Sequence, residues 1–483
     1  SYTSIVVLAE QMHRFPGVSF YSRPIRDYPF GAAMAHVLGF VGEITPEELQ
    51  ILFNEGYTER SIIGKSGIER QYDSLLQGQD GIRYRRVDAQ GRQVSDDSVS
   101  DIIPELGHKL VLTIDAKIQQ LVVDVLGERI GAAVVLKPSN GEILAMASYP
   151  NFDPNDFSGN NSDRIIGRIL QDPRAPFINR AIQASAPPAS TFKIILTAAA
   201  IEEKVIGLDE TIHTRLRYRI GNREVAEWGV AWRSSGFGPL TIYDGLANSS
   251  NFFFAALGNE YLGLETILKY ASEFGVGELT GVDLPNESPG LLPSKEWKEA
   301  VFDEPWVGGD TVNLSLGQGF VEVTPLQLAN VIAAVVNDGV IYTPHLLKEI
   351  RDQETGALVE EYTPTIARAL PISAETFEET RRAMRRVITD GTARYVITTD
   401  TVEVAGKTGT GEVGLDEQWH SWFASFAPYE TDNPDEQVVV IVWVDAANEW
   451  EWWASKATDL IMHGIFNDMT YSEVVADLRP WYL

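Results

Sequence analysis

The sequence has no cysteine, only seven histidines, and 39 lysines and arginines against 68 aspartates and glutamates. Without thiols there can be no disulfide and no thiolate metal site, and the redox compartment is left open. The histidines stand singly rather than at ligand spacing, so we expect no structural metal and no cofactor. The acidic excess gives a net charge of −29, and the basic footprint that a nucleic-acid binder needs is missing. Long apolar runs are missing too. Val438-Val439-Val440-Ile441-Val442-Trp443-Val444 is among the longest, far below the roughly 20 residues that cross a bilayer. There is no signal peptide, and the chain opens at Ser1 rather than at Met, so we expect a fragment whose membrane anchor lies upstream.

What is present is an ordinary globular composition, 44% hydrophobic and 22% charged, over 483 residues, enough for two or three domains. One stretch organises the rest. Pro187-Pro188 precede Ala189-Ser190-Thr191-Phe192-Lys193, and the apolar run Ile194 to Ile201 follows. Prolines cannot continue an earlier helix, and the run is helix-compatible, so Ser190 is predicted at a helix N-terminus. Residues three apart share a helix face, which makes Ser190 and Lys193 neighbours. First-turn N–H groups favour negative charge developing there. A serine and a lysine one turn apart can be a nucleophile and its base. Alone, the pattern reads first as a serine cap followed by a solvated lysine, because such spacings are common by chance.

Two later stretches change the reading. Asn248-Ser249-Ser250-Asn251 is an S-x-N followed by Phe252-Phe253-Phe254, and Ala405-Gly406-Lys407-Thr408-Gly409-Thr410 contains a K-T-G. Separately, the first reads as a turn and the second as a strand end. The ordered set S-x-x-K, S-x-N and K-T-G resembles the signature of class A β-lactamases and penicillin-binding proteins, with S-S-N where those often show S-D-N.

Along the chain, residues 1 to 105 read as a separate mixed region. Ser4 to Ala9 and Phe15-Pro16-Gly17-Val18 open it, and Thr45-Pro46-Glu47-Glu48-Leu49 looks like a capped helix start with proline at the first helical position. Gly81 to Asp88 and Gly91 to Val94 look like a hairpin, and Ser95 to Asp101 like a polar loop. From residue 106 to 483 the pattern is α/β (α+β). Leu110 to Ile114 alternates as a strand, and Ala116 to Arg129 reads as a helix. Ala132 to Leu136 and Ile143 to Ala147 flank the turn Pro138-Ser139-Asn140-Gly141. His420 to Ala427 and Gln437 to Val444 are β-prone, with K-T-G on a third strand just before them and a turn at Asn433 to Glu436. Ala454 to Met469 reads as a final helix. Together these predict a roughly five-stranded, mostly antiparallel sheet, flanked by helices from a long, mostly helical middle at about 160 to 400.

At this point the motifs carry a family. The chain resembles the class B penicillin-binding proteins, monofunctional D,D-transpeptidases of peptidoglycan synthesis, over nearly its whole length. Arg26-x-Tyr28-Pro29, Gly39-Phe40-Val41-Gly42 and Gly64-x-x-Gly67-x-Glu69 resemble the N-terminal pedestal motifs. Gly317-Gln318-Gly319, Thr324-Pro325-Leu326-Gln327, Asn337-x-Gly339, Thr343-Pro344-His345, Gly391-Thr392-Ala393, and His420-x-Trp422-Phe423 with Phe426-Ala427-Pro428 resemble the transpeptidase ones. No glycosyltransferase region precedes the pedestal, and within class B the penicillin-binding protein 2 branch fits best. The resemblance implies a penicillin-binding, serine β-lactamase-like fold behind a pedestal or dimerisation-type domain. It also implies stem-peptide substrates ending in D-Ala-D-Ala, acylation by β-lactams, and a place on the outer face of a bacterial membrane beside a SEDS-type glycosyltransferase.

For the site, it implies Ser190 as nucleophile and Lys193 as base, with Ser249 relaying a proton to the leaving D-Ala. Asn251 would bond Lys193 and the substrate amide. Lys407, Thr408, Gly409 and Thr410 would hold the terminal carboxylate, and the N–H groups of Ser190 and Thr410 would form the oxyanion hole. At its ordinary pKa a lysine is neutral in only about 4 of 10⁴ molecules at pH 7, and lowering it to about 7 takes roughly 4–5 kcal/mol. Burial and a second cation, Lys407, both push that way. Arg26 and Glu69, each in a short Gly- or Pro-punctuated motif that the resemblance marks as structural, are expected to pair. Two features depart from relatives. Some carry zinc held by Cys and His between the first two motifs, where this chain has only His213. Others run glycine-rich after the last strand, where this chain has Glu449-Trp450-Glu451-Trp452-Trp453, read here as packing or an interface. His420 is read as a strand residue.

Two other functions stay open on the residues alone. A D,D-carboxypeptidase or β-lactamase would pass the acyl group to water, and a wall-peptide sensor would bind without chemistry. A hydrolase needs a carboxylate to activate water between the second and third motifs. Glu260 and Glu265 fall in a helical-looking stretch, which leaves Glu287 in a Pro- and Gly-rich loop as the candidate.

Overall fold

The computed structural model describes residues 25–84, 100–157, 162–413 and 418–483, with positions 11, 14, 86, 88 and 89 besides. The stretches Ser4 to Ala9 and Phe15 to Val18, most of the hairpin expected around Asp88 to Gly91, and most of the loop at 95–101 lie outside the described residues. What the structure shows nearby is an antiparallel bridge between Ile82 and Ile102.

The N-terminal region is built from short elements stapled together by its motifs. Val41–Glu43 pairs antiparallel with Ile62–Gly64. Thr45 caps the helix Pro46–Leu52: its hydroxyl accepts from the Glu48 N–H at 3.3 Å, and Glu48 Oε2 accepts from the Thr45 N–H at 2.7 Å. The two glycine motifs meet backbone to backbone, because a Cβ on Gly39 would stand 1.9 Å from the Ser66 carbonyl oxygen. Arg26 donates to Glu69 through Nε at 2.5 Å and through a terminal nitrogen at 2.7 Å, the bidentate pairing expected of them.

The second region is organised on one antiparallel sheet of five strands. They are β1 (Gly131–Leu136), β2 (Ile143–Tyr149), β3 (Ala405–Val413), β4 (Gln418–Ala427) and β5 (Val438–Ala446), in the spatial order β3-β4-β5-β1-β2. The N-terminal hairpin closes at Gly141, whose φ of +84° suits glycine. Lys407 stands opposite Ala424, which faces Ile441, which faces Val134. Val438 to Val444 are buried without alternation, so the sheet is covered on both faces. The helices α1 (Ala116–Leu126), α2 (Lys193–Glu202), α3 (Asn251–Ala256), α4 (Pro325–Val336) and α5 (Trp453–Asn467) form the surrounding layers, with α1, α4 and α5 lying on the sheet itself.

The differences from the sequence reading are local. The strand expected at Leu110 to Ile114 forms over Lys109–Leu112 but pairs with Leu347–Arg351, outside the main sheet. Helix α1 stops at Leu126 rather than Arg129 because Gly127 turns to φ +59°. A further helix, Tyr471–Leu478, follows α5 after Asp468 takes a left-handed conformation. The middle of the chain also holds paired short strands, such as Arg217–Ile220 with Arg223–Ala226, where mostly helix was expected.

Candidate active site

Ser190 sits in a 3-10 turn, Ala189–Phe192, that runs directly into α2, so it lies within the first turn rather than at the cap. Ala189 holds φ +50°, a left-handed conformation that costs a non-glycine residue about 1–3 kcal/mol. The surroundings hold it there. The Ala189 N–H donates to the Gly317 carbonyl at 2.8 Å, and a Cβ on Gly317 would stand 2.1 Å from the Ala189 oxygen. The G-Q-G motif is therefore the floor on which the Ser190 turn rests.

Lys193, the first residue of α2, is fully buried and points at the S-x-N loop. Its Nζ donates to the Ser249 carbonyl at 2.9 Å, to Ser249 Oγ at 3.4 Å and to Asn251 Oδ1 at 2.9 Å. Burial pushes its pKa down to about 7, with the Glu227 carboxylate opposing that shift. The neutral amine is then far more populated at neutral pH than in an exposed lysine. Ser249 has φ +52°, a second strained residue beside the cleft.

Lys407 is also fully buried, and its Nζ donates to the Thr408 carbonyl at 2.8 Å and Thr408 Oγ1 at 3.3 Å. Burial first, then repulsion from Lys193, holds its pKa well below the usual lysine value. At Lys193 burial does the lowering, and the share expected of Lys407 is not seen; the repulsion between the two cations falls on Lys407. Thr408 Oγ1 is 2.8 Å from Thr392 Oγ1. Gly409 does not line the cleft. Its missing side chain lets β3 close on the Ser190 turn, since a Cβ there would lie 3.1 Å from the Pro188 oxygen and 3.1 Å from Thr191 Cγ2.

Ser190, Ser249, Asn251, Thr408 and Thr410 all face one cleft of about 800 Å³, with Lys193 and Lys407 buried in its wall. Residues that the motif argument did not assign to the site also face it: Glu227, Trp228, Asn313, Gln318, Thr392, Glu412 and Trp419. Gln318 and Thr392 lie inside motifs already noted, whereas nothing in the sequence marks Glu227 or Trp228. The aromatic segment divides. Trp450 and Trp452 form part of the cleft's rim, while Trp453 is buried at the start of α5 under the Arg129 guanidinium, 3.5 Å from its ring centre.

Ser185, another serine just before the Ser190 turn, donates to Glu322 at 2.8 Å. His420 lies on β4 with Nε2 3.3 Å from Asp445 and does not face the cleft. Of the water-activating candidates, Glu260 accepts from Tyr218 and Glu265 pairs with Lys295. Glu287 accepts from the Thr280 N–H, the Thr280 hydroxyl and the Gly281 N–H, tying a turn together. None of the three faces the cleft. The residues present do not fit the zinc site of some relatives: His213 is exposed, there is no thiolate, and no cluster of three metal-binding side chains occurs among the described residues.

A serine in a strained turn, a buried lysine one turn on that bonds the S-x-N loop, and a lysine-bearing edge strand opposite fit a serine acyl-transfer enzyme. Comparison with known proteins narrows the class. Residues 131–467 match the penicillin-binding protein transpeptidase domain, and residues 1–112 match the penicillin-binding protein dimerisation domain. The chain is 32% identical over 455 residues to peptidoglycan D,D-transpeptidase MrdA of Escherichia coli strain K12, covering 90% of this chain and 70% of that one. Penicillin-binding protein 2 of Helicobacter pylori, solved in complex with MreC, superposes with a TM-score of 0.82 at 27% identity, covering 97% of this chain and 84% of that one. Penicillin-binding protein 2 of Pseudomonas aeruginosa, in complex with WCK 5153, gives 0.76 at 29% identity, covering 92% and 91%. The chain belongs to the class B penicillin-binding proteins, is similar to penicillin-binding protein 2, and is a peptidoglycan D,D-transpeptidase.

Proposed function

We propose that Ser190 carries the acyl group and that Lys193 is its base. Neutral Lys193 Nζ takes the Ser190 hydroxyl proton as Oγ bonds to the penultimate D-Ala carbonyl of a donor stem peptide. The C–N bond then breaks, and the terminal D-Ala leaves with a proton relayed through Ser249. An acceptor amine attacks the ester, forms the cross-link and returns the proton to Ser190. Lys407, Thr408 and Thr410 receive the donor's terminal carboxylate. The N–H groups of Ser190 and Thr410 serve as oxyanion donors, each worth about 2.7–4 kcal/mol by analogy with acyl-transfer enzymes. The observation that carries this reading is the junction of Lys193 with both Ser249 and Asn251 in the wall of the cleft that holds Ser190.

The same chemistry makes β-lactams acylating inhibitors, and the adduct should sit on Ser190. Intact mass after incubation with a penicillin, followed by peptide mapping, tests it; a mass on Ser185, Ser249 or Ser250 refutes it. The hydrolase reading is disfavoured because Glu260, Glu265 and Glu287 are engaged away from the cleft. We also place the domain boundary at 105/106, a division supported by the matched ranges 1–112 and 131–467. By resemblance the enzyme works at the outer face of a bacterial membrane with a SEDS-type glycosyltransferase. The MreC complex of the Helicobacter pylori relative supports a scaffold contact as well. No helix among the described residues is long and apolar enough to cross a membrane.

A further inference from the structure

Glu227 lies one residue past the strand Arg223–Ala226, in a segment no motif marks, and is 1% exposed. Three donors converge on its carboxylate: the Ser250 hydroxyl, the Asn251 N–H at 3.0 Å and the Phe252 N–H at 3.0 Å. The neighbouring Ala226 carbonyl accepts from Asn251 Nδ2 at 3.1 Å, which leaves Asn251 Oδ1 turned to Lys193 Nζ at 2.9 Å. Two consecutive residues thus set both the backbone and the amide orientation of Asn251. The reversed amide would press two donors together. A buried carboxylate is costly unless its acceptor sites are filled, and here the S-x-N loop fills them. The charged groups that face this network are Lys193 from α2, Lys407 from β3, and Arg233. Arg233 is itself stacked on Trp228 at 4.3 Å and Phe237 at 4.1 Å.

We propose that Glu227 is a positioning residue of the transfer reaction: its buried carboxylate clamps the Ser249–Asn251 loop onto Lys193 and supplies the negative charge that the Lys193 ammonium faces inside the cleft wall. This rests on Lys193 being the base for Ser190. The charge works against burial at Lys193, so removing it lowers the pH at which Lys193 becomes neutral. The clamp acts separately, on how well the loop is placed. A residue that only held the loop would change the height of the pH–rate profile and leave its midpoint alone.

The test is the second-order rate of acylation by a fluorescent penicillin, measured from about pH 5.5 to 9 on wild type, Glu227→Gln, Glu227→Asp and Glu227→Ala, with thermal melts alongside. The wild-type rate should rise with a midpoint near pH 7. In Glu227→Gln the midpoint should fall by about half a unit or more, because an opposing charge has gone. Glu227→Asp should restore the wild-type midpoint with a reduced plateau, and Glu227→Ala should lose about 100-fold in plateau, as misplaced catalytic groups do. An unmoved midpoint in folded Glu227→Gln, an equal shift in Glu227→Asp, or a wild-type plateau in Glu227→Ala each overturns the proposal. Failure of the wild type to form an adduct on Ser190 would instead defeat the underlying assignment, so the two failures are distinguishable.

Discussion

Lys193, the proposed base, shows how packing alone can retune a side chain. Its ordinary value of 10.5 falls to about 7 chiefly through burial, so the neutral form gains population as pH rises. Acylation should therefore climb through about pH 7 and level off above it, a profile that stopped-flow acylation reads directly. Replacing Lys193 with Met should slow acylation by roughly 10²–10⁴-fold, the usual contribution of a positioned base. The same shift has a stability sign. Below pH 7 the folded protein carries a buried ammonium that the unfolded chain keeps in water, and this penalty fades as pH rises from about 7 toward 10.5. Lys193→Met removes the penalty, so its melting temperature at pH 6 should match or exceed that of wild type. A sharp fall in melting temperature would mean that Lys193 holds the fold together through its three hydrogen bonds.

Among the elements, the decisive contact is the closure of β3 on the turn that carries Ser190, with the Gly317 loop beneath it. The two glycines at this junction are not equivalent. Gly317 has φ +66° and no room for a side chain, so Gly317→Ala should cost about 2–4 kcal/mol in a denaturant melt and abolish the adduct. Gly409 has ordinary strand geometry with contacts of 3.0–3.1 Å waiting for a Cβ. Gly409→Ala should fold, while pushing β3 back a few tenths of an ångström and slowing acylation by about tenfold. In the pedestal, Arg26 is 42% exposed and Glu69 only 9%. Solvent screens the Arg26 charge, so the pair itself is worth little more than a surface pair, but its loss leaves a buried carboxylate. Arg26→Ala should cost about 1–2 kcal/mol, and Glu69→Ala about the same, read by thermal unfolding.

For the whole molecule, the question is where the acyl group goes. With Glu287 committed to the Thr280–Gly281 turn, the penicilloyl-enzyme should last for many minutes, and Glu287→Gln should leave its lifetime unchanged while lowering stability. Turnover in seconds that Glu287→Gln traps would make the protein a hydrolase. Intact-mass time courses on the two proteins decide between them. Glu412 and Glu449 also face the cleft, yet both lie at its rim, where bulk water already reaches.

The turn and helix that carry Ser190 and Lys193, and the K-T-G strand, were readable because each is written in local chemistry. A proline pair starts a helix, three residues make a turn, and alternation makes a strand. The five strands were legible as a hairpin and three further β-prone runs, whereas the pairing of β5 with β1 that joins them was not; the capped helix start at Thr45 was legible from Thr45-Pro46. Glu227, Trp228 and Asn313 were not readable. Glu227 and Trp228 make contacts across 20 residues or more, such as Trp228 to Asn248 and Glu227 to Asn251, and no local rule ties those positions together. The fate of the Leu110 strand was equally a tertiary decision, since β propensity selects an extended conformation but not a partner. The sequence by itself determined which residues could do acyl-transfer chemistry. Only the folded structure decided that Lys193 would lose most of its solvent, because desolvation is a property of everything packed around a charge rather than of the residue that bears it.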